Sequence, residues 1–382
     1  MLPEVTLAVR VRGRHPWFFR KMVRKPPRPL PAGGPVRVVD RDGQFIGVGF
    51  FNPRTELALR IVTHEDVPDF AAWLGACLDG AIALREDTLG LPRVTDAYRL
   101  VHAEGDGFPG LILDRLGDAL VAQVATRGVM LQIETLGERL RARYPKLRLV
   151  LTADKEASKR EGFDMPPPVR PQATVLHEHG LRYEVEPGLG HKTGFFADQR
   201  DNRLLLRGLA RGRNVLDLCC HTGGFAANAA KGGARKVVAI DLDEEAVAAT
   251  QATAARNGLR LEVRHEDAFT TLRQTTRGAY DLVILDPPKW VDGKGGLDAG
   301  LPRYMDFNRL AFEKLARGAL LVTCSCSGAV SAERFEAVVR QAAADAGRDA
   351  RILYRLGAGP DHPVALECPE TGYLKVLVLQ VS

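Results

Sequence analysis

Two short segments carry residues fit for chemistry. Asp286-Pro287-Pro288-Lys289 and Thr323-Cys324-Ser325-Cys326-Ser327-Gly328 each complete a run of apolar residues. The prolines remove backbone donors and stiffen the turn that holds Asp286. A thiolate is a strong nucleophile, and a carboxyl group can grip the polar edge of a heterocycle. C5 of a cytosine reacts poorly with electrophiles until a nucleophile adds at C6 and makes C5 enamine-like. One cysteine and one aspartate on neighbouring strand ends would meet that need. Cys324 and Cys326 lie two apart and so share one side of a strand. Cys326 is nearer the carboxyl end, where parallel sheets bind ligands, which makes it the expected nucleophile, with Asp286 as its catalytic partner. The thiol must be made more acidic, and nearby Lys289 is one candidate source of positive charge. Cys77, Cys219, Cys220 and Cys368 read as buried small apolar residues. Adjacent Cys219 and Cys220 would face opposite ways and no pair has metal-binding spacing, so no metal is expected.

Three more acids end earlier apolar runs: Asp217, Asp241 and Asp267. Each alone reads as a helix cap. In order at the ends of a first, second and third strand, they suit a nucleoside cofactor. Asp241 would accept from the ribose hydroxyls. Asp267 would take an adenine amino group, with Ala268 against the ring. The Thr222-Gly223-Gly224 turn admits a ligand close to the backbone. Its spacing is not that of a diphosphate-binding loop, which favours S-adenosyl-L-methionine over a dinucleotide. Upstream, residues 190–203 (GHKTGFFADQRDNR) are dense in polar groups. They read either as a capped helix start or as a segment laying Phe195 and Gln199 on the cofactor and basic residues on phosphate. The expected cofactor site is therefore Phe195, Gln199, Asp217, Thr222, Gly223, Asp241, Asp267, Ala268 and Asp286.

These residues require a scaffold. From about residue 186, the apolar runs NVLDLCC, KVVAIDL, LEVRHED, YDLVILDPP and ALLVTCSCS alternate with helical stretches. That alternation predicts a parallel sheet covered on both faces. The closing run GYLKVLVLQV has no helix before it and fits an antiparallel insertion. Residues 1–66 read as a small β-rich unit with a hairpin turn at Asp42-Gly43. Residues 67–185 read as a central α+β unit, with a helix from Asp69, three strands, a helix over Met130–Tyr144 and further strands.

The formal charge of +6 permits a polyanionic partner without requiring one. Its placement is more telling. Arg10, Arg12, Arg14, Arg20, Lys21, Arg24, Lys25 and Arg28 occur within one stretch that has no acid and contains Trp17, Phe18 and Phe19. Cations can neutralise phosphates and aromatic faces can stack on bases. The expected RNA-binding residues are Arg10, Arg12, Arg14, Trp17, Arg20, Lys21, Lys192, Arg200 and Lys289. A solvated basic loop over a tucked-in aromatic core is the plainer alternative. No run approaches the ~20 apolar residues of a membrane span, and arginines interrupt the first apolar stretch, so a cytoplasmic chain is expected.

Taken together, the HKTGFFADQRDNR block, the TGGF turn, DPPK, CSCSG, DAGRD, DHPV and PETGYLK resemble the bacterial large-subunit rRNA 5-methylcytosine methyltransferases. The resemblance runs through essentially the whole chain, with the blocks in order. It implies an α/β architecture: an N-terminal PUA domain, a central α+β domain and a C-terminal class I Rossmann-like methyltransferase domain. It implies S-adenosyl-L-methionine as cofactor, large-subunit ribosomal RNA as substrate and a homodimer. Its nucleophile maps onto Cys326. Many RNA 5-methylcytosine enzymes carry a second cysteine after a proline of the strand-four motif, where this chain has Pro288-Lys289. Another group must then aid removal of the C5 proton. The main alternative is an exocyclic-amine methyltransferase in which Asp-Pro-Pro grips the amine and the cysteines are structural. A non-catalytic RNA-binding factor and a nicotinamide dehydrogenase fit the cofactor residues less well.

Overall fold

The computed structural model describes residues 2–167, 169–170, 172–189 and 193–382. The chain divides into two compact units, one of Met1–Thr174, Val185–Phe195 and Pro360–Thr371, the other of Val175–Glu184, Phe196–Gly359 and Gly372–Ser382.

The first unit opens with β1 (Glu4–Thr6), β2 (Trp17–Phe19), β3 (Gly34–Val39), β4 (Phe45–Phe51) and β5 (Leu57–Thr63), in the order β1-β3-β4-β5-β2. Asp42-Gly43 makes the expected turn between β3 and β4, with Gly43 at φ +81°. Helix α1 (Phe70–Ala83) is capped by Asp69, whose carboxylate accepts from Ala72 N at 3.0 Å. A four-stranded sheet follows, β6 (Ala97–His102), β7 (Leu111–Leu116), β8 (Ala119–Val124) and β9 (Arg148–Ala153), in that order. The expected helix over residues 130–144 is two pieces, α2 (Arg127–Met130) and α3 (Ile133–Arg143), and a short α4 (Lys155–Glu161) was not expected.

Apolar residues on both sides of residue 66 share one core. Val48, Phe50 and Val62 pack in one cluster with Leu74, Leu100, Leu113 and Leu136. The segment Pro360–Thr371 also belongs to this unit, held by a buried polar network. Arg99 pairs with Asp114 at 2.6 Å, Asp361 accepts from Arg99 N at 2.9 Å, and Arg85 donates to the Asp361 carbonyl at 2.7 Å. The His102 and His362 rings lie 5.2 Å apart, and burial lowers His102 to about 3, so it stays neutral. His362 is buried as well, with its Nδ1 3.2 Å from the Asp361 carboxylate.

The second unit begins with a hairpin, β10 (Thr174–Glu178) and β11 (Leu181–Val185), which the sequence reading had placed in the central domain. Its anchor is a buried ion pair, in which Arg203 donates to Glu178 at 2.8 Å. Then come α5 (Arg200–Leu209), β12 (Asn214–Leu218), α6 (Gly224–Lys231), β13 (Lys236–Asp241), α7 (Glu244–Arg256), β14 (Glu262–His265), α8 (Ala268–Gln274), β15 (Leu282–Leu285), α9 (Leu297–Lys314), β16 (Leu320–Ser325), α10 (Ala332–Asp345), β17 (Ala350–Leu356) and β18 (Lys375–Val381). The seven-stranded sheet runs β14-β13-β12-β15-β16-β18-β17. The first five strands are parallel, and β18 inserts antiparallel between β16 and β17, as the missing crossover helix predicted. Alternate residues of β12, β15 and β16 feed two apolar clusters, one on each face. Strand order reverses beside β12, which leaves a crevice at the carboxyl ends of β12 and β15.

Candidate active site

The turn after β12 is built to let something approach its backbone. Cys219 at φ +62° and His221 at φ +52° occupy the left-handed region that non-glycine residues avoid. Neighbouring elements hold them there. His221 N donates to Asp241 at 2.9 Å, its carbonyl accepts from Thr250 Oγ1 at 2.9 Å, and its ring meets Phe196 edge-on at 4.7 Å. Gly223 sits at φ +74°, where a Cβ would fall 2.8 Å from Thr250 Cγ2. Thr222 is half-buried beside it.

The acids converge as the strand order requires. Asp217 is fully buried. One carboxylate oxygen accepts from Ala226 N at 2.9 Å, and the other meets no donor among the described residues. Burial first, then the charges of Asp286 and Asp241, push its pKa well above the ordinary carboxylate range. Asp241 accepts from His221 N and Asp243 N, and its oxygens retain capacity for further donors. Asp267 caps α8, accepting from Thr270 N and Oγ1 at 2.8 Å each, so the plain cap reading holds for one of its oxygens. Ala268 packs against the apolar cluster beside it. A crowded, partly unsatisfied set of acids beside an open turn suits a cationic nucleoside such as S-adenosylmethionine, whose sulfonium and ammonium would offset the repulsion.

Asp286 follows β15 and accepts from Gln199 Nε2 at 3.1 Å. Gln199 is itself held by Asn202, which donates to its Oε1 at 2.7 Å. Gln199 therefore orients the Asp286 carboxylate, a role distinct from the cofactor contact expected of it. Cys324 is fully buried and shares hydrogen bonds with both Asp286 and Gln199; burial first, then the Asp286 charge, drives its thiol far up, so it stays protonated. Cys326 lies one step past β16, half-buried, and packs with Cys324 on the same side of the sheet. Next to it, Ser327 Oγ accepts from Val291 N at 3.2 Å and meets Tyr304 Oη at 3.0 Å, which ties the DPPK loop to the strand end.

Lys289, one candidate for the positive charge beside the thiol, has an acidic partner of its own. It is half exposed and paired with Asp292 at 2.6 Å. The buried cation nearest in character is Lys375 at the start of β18, whose electrostatic environment includes Cys326. Phe195 is buried and belongs to the first unit.

Residues 7–64 match the PUA-like domain family, and residues 169–378 match the S-adenosylmethionine-dependent methyltransferase family. The ribosomal RNA large subunit methyltransferase I of Tolumonas auensis is 37% identical over 382 residues, covering 96% of this chain and 95% of that protein. The protein of the same name from Aeromonas hydrophila is 36% identical, again with 96% and 95% covered. The chain belongs to this methyltransferase family. Its fold also matches a solved structure described as a methyltransferase complexed with S-adenosylhomocysteine, at TM-score 0.81 and 20% identity over 100% of both chains. S-Adenosylmethionine is accordingly the methyltransferase's cofactor, in agreement with the acids at its strand ends.

The basic residues of the PUA-like domain divide by environment. Arg10, Arg12, Arg14, Arg20 and Lys21 are exposed, with Arg10 paired to Asp42 at 3.1 Å and Arg20 paired to Glu56. Trp17 is half-buried and its indole N–H donates to Glu104 at 2.9 Å, so part of its surface is structural. Arg200 is only 1% exposed, because α5 turns it inward, which removes it from the expected phosphate-binding set. Lys192 lies outside the described residues. Among the described residues, no helix of the methyltransferase is long and apolar enough to cross a membrane. One mixed group of donors, His15, Cys368 and Glu370, lies within 4.8 Å in the first unit. Burial raises the Cys368 thiol to about 12, so it serves there as a protonated donor.

Proposed function

We propose that the chain methylates C5 of a cytosine in large-subunit ribosomal RNA through a transient bond between Cys326 and C6. The observation that carries this reading is the half-buried Cys326 on the same sheet side as Cys324, whose thiol is hydrogen-bonded to Asp286. Asp286 would hold the polar edge of the base, steadied by Gln199. Bound S-adenosylmethionine supplies an electrophilic methyl group. Asp217 and Asp241 would hold its cationic and hydroxyl groups, the Thr222-Gly223 turn its main body, and Asp267 with Ala268 its adenine. Gln199 completes the proposed binding set.

The chemistry assigned to the chain is an electron relay through the base. The Cys326 thiolate pair forms the Sγ–C6 bond, and the C5–C6 π pair moves to C5 and forms the bond to the methyl group, whose former bonding pair would stay on the thioether sulfur that leaves. The C5 proton then leaves to a base, its pair restores the C5–C6 double bond, and the Sγ–C6 bond breaks with its electrons returning to sulfur. Exposed Arg10, Arg12, Arg14, Arg20, Lys21 and Lys289 would contact RNA phosphates, with Trp17 beside them. Two chains would act as a homodimer, a state that analytical ultracentrifugation reads directly.

Nucleoside mass analysis tests the product. Ribosomal RNA treated with the chain and S-adenosylmethionine should contain 5-methylcytidine, and the Cys326→Ala chain should make none. An N-methylated base formed equally by both chains would refute the reading and favour the exocyclic-amine alternative.

A further inference from the structure

Lys375 has no place in the reaction as described, yet its setting is unusual. It is 8% exposed in the first position of β18. Its ammonium donates to the Ser327 carbonyl at 2.6 Å and to the Tyr373 carbonyl at 2.7 Å. No carboxylate pairs with it among the described residues. A buried lysine without an anionic partner is costly to keep charged. The strand register explains how it is placed. Lys375 stands directly opposite Ser325 in the antiparallel β16–β18 pair, and its ammonium reaches the carbonyl of Ser327, so it spans the two residues that flank Cys326.

Other ionisable groups stand near the thiol. Cys324 on β16 and Tyr304 on α9 both sense Cys326, and burial keeps each of them protonated and neutral. Asp286 places negative charge against the Cys324 thiol. Lys289 is occupied by Asp292. Resting on the proposed cysteine mechanism, we infer that Lys375 is the positioning cation that stabilises the Cys326 thiolate. Burial lowers Lys375 to about 8, and the opposing influence is the Cys326 charge itself. An ammonium so near its titration point is held by two carbonyl dipoles and gains most when a thiolate forms beside it. No proton need pass between them. The thiol proton leaves to solvent, the sulfur pair attacks C6, and the same pair returns to sulfur beside the ammonium on release.

The test uses the full-length chain and reads sulfur reactivity separately from methylation. Iodoacetamide labelling of Cys326 is followed by peptide mass analysis from pH 6 to 10 in the wild type, Lys375→Met and Lys375→Arg. Lys375→Met should move the labelling midpoint upward by about one pH unit. It should slow methylation roughly tenfold at neutral pH, with much of the loss recovered at higher pH. Lys375→Arg should restore the low midpoint. S-Adenosylhomocysteine binding should persist in both variants, which reports a folded second unit. A Lys375→Met labelling profile that coincides with wild type overturns the inference, whatever happens to methylation. Failure of the underlying mechanism is separate: it appears as Cys326→Ala retaining C5 methylation.

Discussion

The turn after β12 and the Arg10–Arg28 stretch both collect charge of one sign, and they treat it in opposite ways. Asp217 is buried with one carboxylate oxygen unsatisfied among the described residues, and the half-buried Asp241 and Asp286 add like charge to it. Along the N-terminal stretch the bases are exposed, and Arg10 and Arg20 have acidic partners. Coulomb energy between two charges rises severalfold when water is replaced by a protein interior. A buried like-charged cluster is therefore strained until a cation arrives, whereas an exposed one is screened by salt within about 8–10 Å. The first can give chemical discrimination, and the second gives long-range attraction that weakens as salt rises.

Loss of the thiol should be the largest perturbation. Cys326→Ser should reduce methylation by about a thousandfold or more in single-turnover assays, while S-adenosylhomocysteine binding stays within a few-fold. Asp286→Asn should follow, at roughly a hundredfold in rate, because the amide keeps the shape but loses the charge that faces the base. Asp241→Ala should weaken S-adenosylhomocysteine binding by roughly tenfold, measured calorimetrically, with a smaller effect on the rate at saturating cofactor.

Asp217 sharpens the comparison through pH. A carboxyl held above its ordinary 3.8 binds more protons folded than unfolded, so the ligand-free chain loses stability as pH rises past that value. Asp217→Asn should raise the melting temperature of the ligand-free chain by a few degrees at pH 7, and the gain should vanish near pH 3. The smallest effects belong to the exposed bases. Arg12→Ala and Arg14→Ala should each lower RNA affinity only a few-fold and reduce the slope of log affinity against log salt by about one. A loss that is independent of salt would assign those side chains to the fold.

The strands of the second unit were legible because parallel strands buried on both faces appear as uninterrupted apolar runs, and the motif acids sit at their ends. β17 was not legible. ARILYRL mixes bases with apolar residues, as a half-exposed edge strand does, and its pairing with β18 is non-local. The core shared across residue 66 was not legible for a related reason. A shared core such as that of Val48, Phe50 and Leu113 depends on packing between sheets, which periodicity along one strand does not encode. In the site, Lys289 is a candidate cation because it neighbours Asp286 in sequence, yet its side chain pairs with Asp292. Lys375 was missed because only the β16–β18 register brings it beside residue 326. A lysine at the head of the apolar run KVLVLQV was the available signal, since burying that amine needs a reason.

The central claim is that sulfur at position 326 bonds to the base that is methylated. RNA carrying 5-fluorocytidine blocks loss of the C5 substituent and should trap that bond. After incubation with S-adenosylmethionine and digestion, peptide mass analysis should find the methylated fluoronucleotide attached to Cys326. Normal RNA methylated by the same preparation, with no trapped nucleotide on Cys326 or with the nucleotide on Cys324, would contradict the account.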